Sequence, residues 1–232
     1  MTNEYLDNIK NIFSNLDKWS NFPNYQLERR ADIFFSIYLK EIIKDKINEE
    51  ISLIIPEFPV RVGTINKEKS YLNLSYKIDY IAFCESNRKI YLIELKTDSG
   101  SLRDKQIEYL NKTKTAGISE IIEKSLLTIY DVTDKSYKSK YKAMFNDLKD
   151  IGILDNNFEY IESNYTFEIL YILPEFDENT NKYLKKENVI TREQTITFDD
   201  IIKSISHHQD DLTKRFIQSL VLWKNPPNYK PE

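Results

Sequence analysis

Cysteine, histidine and glycine are all scarce in this chain, and each scarcity removes a class of function. The single cysteine, Cys84, cannot form a disulfide within the chain, and it points to a reducing, cytoplasmic setting. Two histidines, His207 and His208, with no Cys/His cluster, leave no zinc-finger spacing. Four glycines in 232 residues argue against glycine-rich phosphate loops, and neither Gly-x-Gly-x-x-Gly nor Gly-Lys-Ser/Thr occurs. No apolar run approaches the roughly 18 residues that a bilayer span requires, so no membrane role is expected. The polar start, Met1-Thr-Asn-Glu-Tyr-Leu-Asp7, lacks the pattern of a signal peptide. A basic excess is missing too. The formal charge of −4 weighs against a protein that coats nucleic acid non-specifically. It does not weigh against an enzyme whose acidic metal ligands contribute negative charge and whose basic contacts are local.

What remains is an ordinary globular composition, 41% hydrophobic and 30% charged, with enough length for a substantial core in a single domain spanning 1–232. Apolar residues recur at helical spacing over 3–18 and again over 25–48, where Leu27, Ala31, Phe34, Phe35, Tyr38 and Ile42 form a stripe. Two prolines in the run 51–62 predict an edge or irregular strand. Helices are expected over 102–115, over 118–130, in a stretch that the basic segment 135–142 leads into and that ends near Gly152, and over 211–223. Short apolar runs at 167–174 and 195–198 read as strands, and Thr197-Phe-Asp-Asp200 as a capping box. This order of elements indicates an α/β layered domain.

The most informative stretch is Lys77-Ile-Asp-Tyr-Ile-Ala-Phe-Cys84 followed by Lys89-Ile-Tyr-Leu-Ile-Glu-Leu-Lys96. It reads as a β-hairpin with Ser86-Asn87 as a two-residue loop. A register that pairs Glu85 with Arg88 also sets Asp79 opposite Glu94, with Cβ atoms about 5 Å apart. Lys96 shares the face of Glu94 by the strand period of two, and Lys77 turns to solvent at the strand end. Two carboxylates that close repel unless a cation lies between them. Charged groups among Ile, Leu, Tyr and Phe are costly unless they pair or hold a metal.

Asp79, followed by Glu94-x-Lys96 at the end of the next strand, resembles the PD-(D/E)XK nuclease superfamily over a core of about residues 25–175. Ile78 stands where the family's name has Pro. Gln106-Ile-Glu-Tyr109 is one residue shorter than the Gln-x-x-x-Tyr pattern often found on the following helix. The resemblance implies a mixed central β-sheet flanked by helices, a restriction-endonuclease-like core, and a metal-dependent nuclease acting on nucleic acid, with DNA the expected substrate. Asp79, Glu94 and the backbone carbonyl of Leu95 would hold Mg²⁺ or Mn²⁺. Lys96 would orient water or stabilise developing charge. Glu28, on the preceding helix, would bind a second metal or order water. Gln106 would contact phosphate or a base with Tyr109 packed beneath it, and Arg103 and Lys105 would neutralise phosphates.

Blander readings stand beside these. Asp79, Glu94 and Lys96 could be a structural ion triad, and the domain a catalytically inactive nuclease-fold module that binds nucleic acid or a protein partner. Glu28-Arg29-Arg30 could be a solvated first helical turn, and Gln106 and Tyr109 plain helix residues. His207 and Asp211 share a helical face at i, i+4, but adjacent histidines at a helix start are usually solvated. The segment Lys135–Lys142, with Tyr137 and Tyr141, suits either a solvated face or a nucleic-acid contact. A two-carboxylate glycosidase is a distant third, since it leaves Lys96 without a role. Oligomeric state has no signature in the sequence.

Overall fold

The computed structural model describes residues 3–69, 74–177, 179–182 and 184–225. Its helices are α1 (Asn3–Trp19), α2 (Leu27–Ile47), α3 (Val62–Ile65), α4 (Asp104–Ile121), α5 (Thr128–Val132), α6 (Lys135–Asp150), α7 (Phe198–Ile205) and α8 (Asp211–Lys224). Five strands, β1 (Leu53–Arg61), β2 (Ser75–Cys84), β3 (Lys89–Leu95), β4 (Thr166–Leu173) and β5 (Thr195–Thr197), form one sheet in the order β1-β2-β3-β4-β5. The sheet is mixed: β1–β2 and β2–β3 are antiparallel, and β4–β5 is parallel. This is the α/β class expected from the order of elements.

The chain weaves through two compact units. One comprises Met1–Asn48, Leu95–Leu102 and Tyr171–Glu232; the other comprises Glu49–Glu94 and Arg103–Leu170. The first is mainly helical. Its core is an aromatic cluster: Phe13 lies 4.5 Å from Phe34, Phe216 meets Phe35 edge-on at 5.2 Å, and Tyr38 stacks on Phe216 at 5.8 Å. The stripe on α2 buries Leu27, Ala31, Phe35, Tyr38, Leu39, Ile42 and Ile43, which follows from the 3.6-residue period. Asp17 fastens α8 to α1, accepting from Arg215 at 2.5 Å and from the Trp223 indole at 2.9 Å. The capping box at Thr197 is present: the Asp200 carboxylate accepts the Thr197 N–H at 2.8 Å, and the Thr197 hydroxyl accepts the Asp200 N–H at 3.2 Å. Asp210 caps α8 through the Thr213 N–H at 2.9 Å.

The second unit is built on the strands. β1 lies at the sheet edge, where its two prolines cost least, and Glu57 between them takes a left-handed φ of 51°. Gly117, at φ 80°, breaks α4 where the sequence separates two helices. A π-helical stretch, Ile122–Leu127, then leads into α5. The basic segment 135–142 forms the first half of α6 itself, rather than a leader to it.

Candidate functional site

Position begins with the hairpin. β2 pairs with β3 from Tyr80↔Ile93 to Cys84↔Lys89, and continuing that register by one residue sets Asp79 opposite Glu94. The loop is Glu85–Arg88, four residues rather than two, and its positive φ falls on Arg88 at 54° instead of on Asn87. A two-residue and a four-residue loop share the same midpoint, so the register is unchanged. The Asn87 side chain takes a different task, accepting from the Lys89 N–H at 3.0 Å. Asp79 is half-buried, and Glu94 is only 1% exposed. Lys77 faces solvent as expected and pairs with Glu57 at 2.9 Å.

Glu94 is gripped from α4. Its Oε1 accepts from the Gln106 amide nitrogen, and its Oε2 accepts from the Tyr109 hydroxyl at 2.8 Å. Residues three apart on a helix share a face, so Gln106-x-x-Tyr109 reaches both oxygens of one carboxylate. The other end of the Gln106 side chain is spoken for as well. Its Oε1 accepts the Arg103 N–H at 3.2 Å, which caps the start of α4. The two bonds together orient the amide, with oxygen toward the helix end and nitrogen toward Glu94. Tyr109 also donates to the Lys77 carbonyl at 3.3 Å and stacks on Tyr76 at 4.7 Å, 10° from parallel. Lys105 lies over the Tyr76 ring at 5.7 Å, beside a cavity of about 30 Å³ that Tyr109 also lines. Arg103 is exposed.

In the helical unit, Lys96 is 4% exposed. Its ammonium donates to both carboxylate oxygens of Glu28, at 3.1 and 3.2 Å, and to the Leu95 carbonyl at 2.8 Å. Glu28 lies in the first turn of α2, where the helix dipole favours an acid. It is a partner of Lys96 rather than a solvated residue of that turn, with a side chain about one-third exposed at 32%. The Leu95 carbonyl, expected as a metal ligand, has the neighbouring ammonium as one partner. The Asp98 side chain then accepts the Gly100 N–H at 2.9 Å and shapes the turn before α4.

The histidines contact α2, a link with no sequence signal. His208 Nε2 lies 2.9 Å from Glu41, 167 positions away, and His207 Nδ1 lies 3.6 Å from the same carboxylate. One ligand atom from each of Glu41, His207 and His208 falls within 4.8 Å of the others, which would suit a borderline metal with imidazole affinity rather than Mg²⁺. His207 Nδ1 also faces the Ser204 carbonyl at 3.0 Å.

Among the described residues no helix is long and apolar enough to cross a membrane. No family model, curated protein or solved structure matches the chain.

Proposed function

We propose that this chain is a divalent-metal-dependent nuclease of the PD-(D/E)XK type, hydrolysing phosphodiester bonds of DNA in the cytoplasm. The observation that carries the reading is Glu94: a carboxylate 1% exposed, bonded at each oxygen by a side chain of α4 and set by register opposite Asp79. Desolvating a carboxylate costs several kcal/mol, so a buried Glu94 facing a half-buried Asp79 is a natural place for a cation.

The donor chemistry fits Mg²⁺, a hard cation that takes carboxylate oxygens, with Mn²⁺ as its working substitute. A carboxylate oxygen can accept from more than one partner, so the bonds from Gln106 and Tyr109 are compatible with metal ligation. Asp79 and Glu94 would hold the ion, which when bound would polarise the scissile phosphate and lower the pKa of a coordinated water. Gln106 and Tyr109 lock the Glu94 side chain in one orientation, as partners of metal ligands do. Lys96, two residues along the chain from Glu94, supplies an ammonium to orient the attacking water or meet the developing charge. Glu28 fixes that ammonium in place. Lys105 and Arg103 supply positive charge for phosphate.

The test is cleavage of single- and double-stranded DNA and of RNA by purified protein with Mg²⁺ or Mn²⁺. Wild type cleaves DNA; Asp79→Asn, Glu94→Gln and Lys96→Ala each lower the rate by about 100-fold or more. Inactive wild type, or variants as active as wild type, would reject the proposal. A second reading, a non-catalytic module binding nucleic acid or a protein, is favoured by one observation: Glu94 and Lys96 each have protein partners of the kind a structural network uses. Calorimetric titration with Mn²⁺ separates the two. Binding that disappears in Asp79→Asn supports the nuclease, and no binding at millimolar Mn²⁺ supports the module.

A further inference from the structure

Helix α6 follows an acid at its N-cap, Asp134, but turns basic at once. Its first turn holds no acid, and from Lys135 to Asn146 it has four lysines and no Asp or Glu. A helix N-terminus favours negative charge, so Lys135 and Lys138 are placed where they weaken the helix. The chain as a whole carries −4, and although Asp134 precedes the helix and Asp147 and Asp150 lie near its end, the run from Lys135 to Asn146 is a local reversal of sign. At about 100° per residue, Lys135, Lys138, Lys142 and Lys149 fall within an arc of roughly 60°. Phe145 and Leu148 anchor the adjoining side of the helix in the core. Lys135 and Lys142 are exposed and Lys149 is half-exposed, while Lys138 lies over the Tyr130 ring at 4.5 Å.

We infer that this lysine stripe is a docking surface for the phosphate backbone of duplex DNA, a surface that rests on the nuclease reading and serves it by holding substrate. The stripe runs about 21 Å along the helix, with Lys138 and Lys142 about 6 Å apart in axial rise. That length matches roughly six nucleotide steps of a DNA strand at about 3.4 Å each. Lysine is a compact point charge on a flexible stem, suited to phosphate contact that carries no sequence information. The occupant is duplex rather than single strand because the stripe carries no exposed aromatic ring on which bases could stack. Tyr137, 57% exposed, points away from the stripe by 100° or more on the same helical count, and Lys140 sits 5.5 Å over its ring.

The experiment uses the full chain carrying Asp79→Asn, with Mg²⁺ present and a fluorescein-labelled 20-base-pair duplex followed by anisotropy from about 50 to 200 mM salt. Adding Lys135→Ala, Lys142→Ala and Lys149→Ala should weaken binding about tenfold or more at the middle of that range and make the log–log salt slope shallower by about two to three. Arginine at the same three positions should restore both. If the triple variant melts below the parent, the single variants serve, each reducing the slope by about 0.9. An unchanged slope would overturn the surface. So would a loss confined to a single-stranded probe and reproduced by Tyr137→Ala, or tighter lysine-dependent binding to anionic vesicles than to DNA. Wild-type cleavage, measured in parallel, keeps the two proposals apart. Lysine-dependent duplex binding without cleavage sinks the nuclease and keeps the surface, whereas cleavage with lysine-independent binding does the reverse.

Discussion

Two carboxylates, the partly buried Asp17 in one unit and the buried Glu94 in the other, are held by different groups. Asp17, between α1 and α8, meets a guanidinium at 2.5 Å and an indole N–H at 2.9 Å. Glu94, near the end of β3, meets an amide and a phenol from α4. An arginine both neutralises and positions an acid, and such a pair makes sense as a fastener between helices. The amide and phenol donors on Glu94 fix the orientation of its carboxylate, one at each oxygen.

The largest expected effect comes from removing the two charges separately. Glu94→Gln should abolish metal-dependent cleavage while the melting temperature stays within about 5 °C of wild type. Asp17→Asn should do the opposite. It leaves Arg215 with a weaker partner in a mostly buried setting, costing about 2–3 kcal/mol and lowering the melting temperature by about 5–10 °C, with cleavage per folded molecule unchanged. Calorimetric melts beside a cleavage assay check both. The contrast breaks if Glu94→Gln melts as early as Asp17→Asn and still cleaves.

An intermediate effect sharpens the same contrast. Gln106→Ala and Tyr109→Phe each remove one bond to Glu94 and should weaken Mn²⁺ binding about 10- to 100-fold. Calorimetry reads the affinity, and wild-type affinity in both variants would mean that the grip is packing only.

The smallest effect lies in the helical unit at low pH. Burial would raise the Asp200 carboxyl, but the Thr197 N–H and hydroxyl and Arg192 outweigh it and hold it below the ordinary value. The Thr213 hydroxyl and N–H hold Asp210 below it too. Both groups therefore bind protons less readily folded than unfolded. Their stabilisation is present above the ordinary carboxylate range, near pH 4, and is lost as pH falls through the folded values. Asp200→Asn and Asp210→Asn should each flatten the acid limb of the melting curve by a few degrees. A limb as steep as wild type would place acid sensitivity elsewhere.

Much of the hairpin was legible because strand pairing is periodic and the loop midpoint sets it, even with the loop length misjudged. The capping box at Thr197 was legible because its partners are three residues apart. Gln106 and Tyr109 are visible as a spaced pair, but their target is not: the resemblance points Gln106 at phosphate or a base with Tyr109 packed beneath it, and in the structure both bond Glu94. Glu28 carried a signal in its helical phase, though not its pairing with Lys96, 68 positions away. The contacts of Asp17 with Arg215 and Trp223, 198 and 206 positions away, had no signal at all.

Local order was therefore determined by the sequence alone: helical stripes, strand alternation, caps, and the register that faces Asp79 with Glu94. These depend on backbone geometry that repeats every two or 3.6 residues and so writes itself into residue spacing. Which donor meets which acid was decided only by the tertiary structure. Partners drawn from distant segments meet where helices pack and strands end, and no spacing along the chain encodes that meeting.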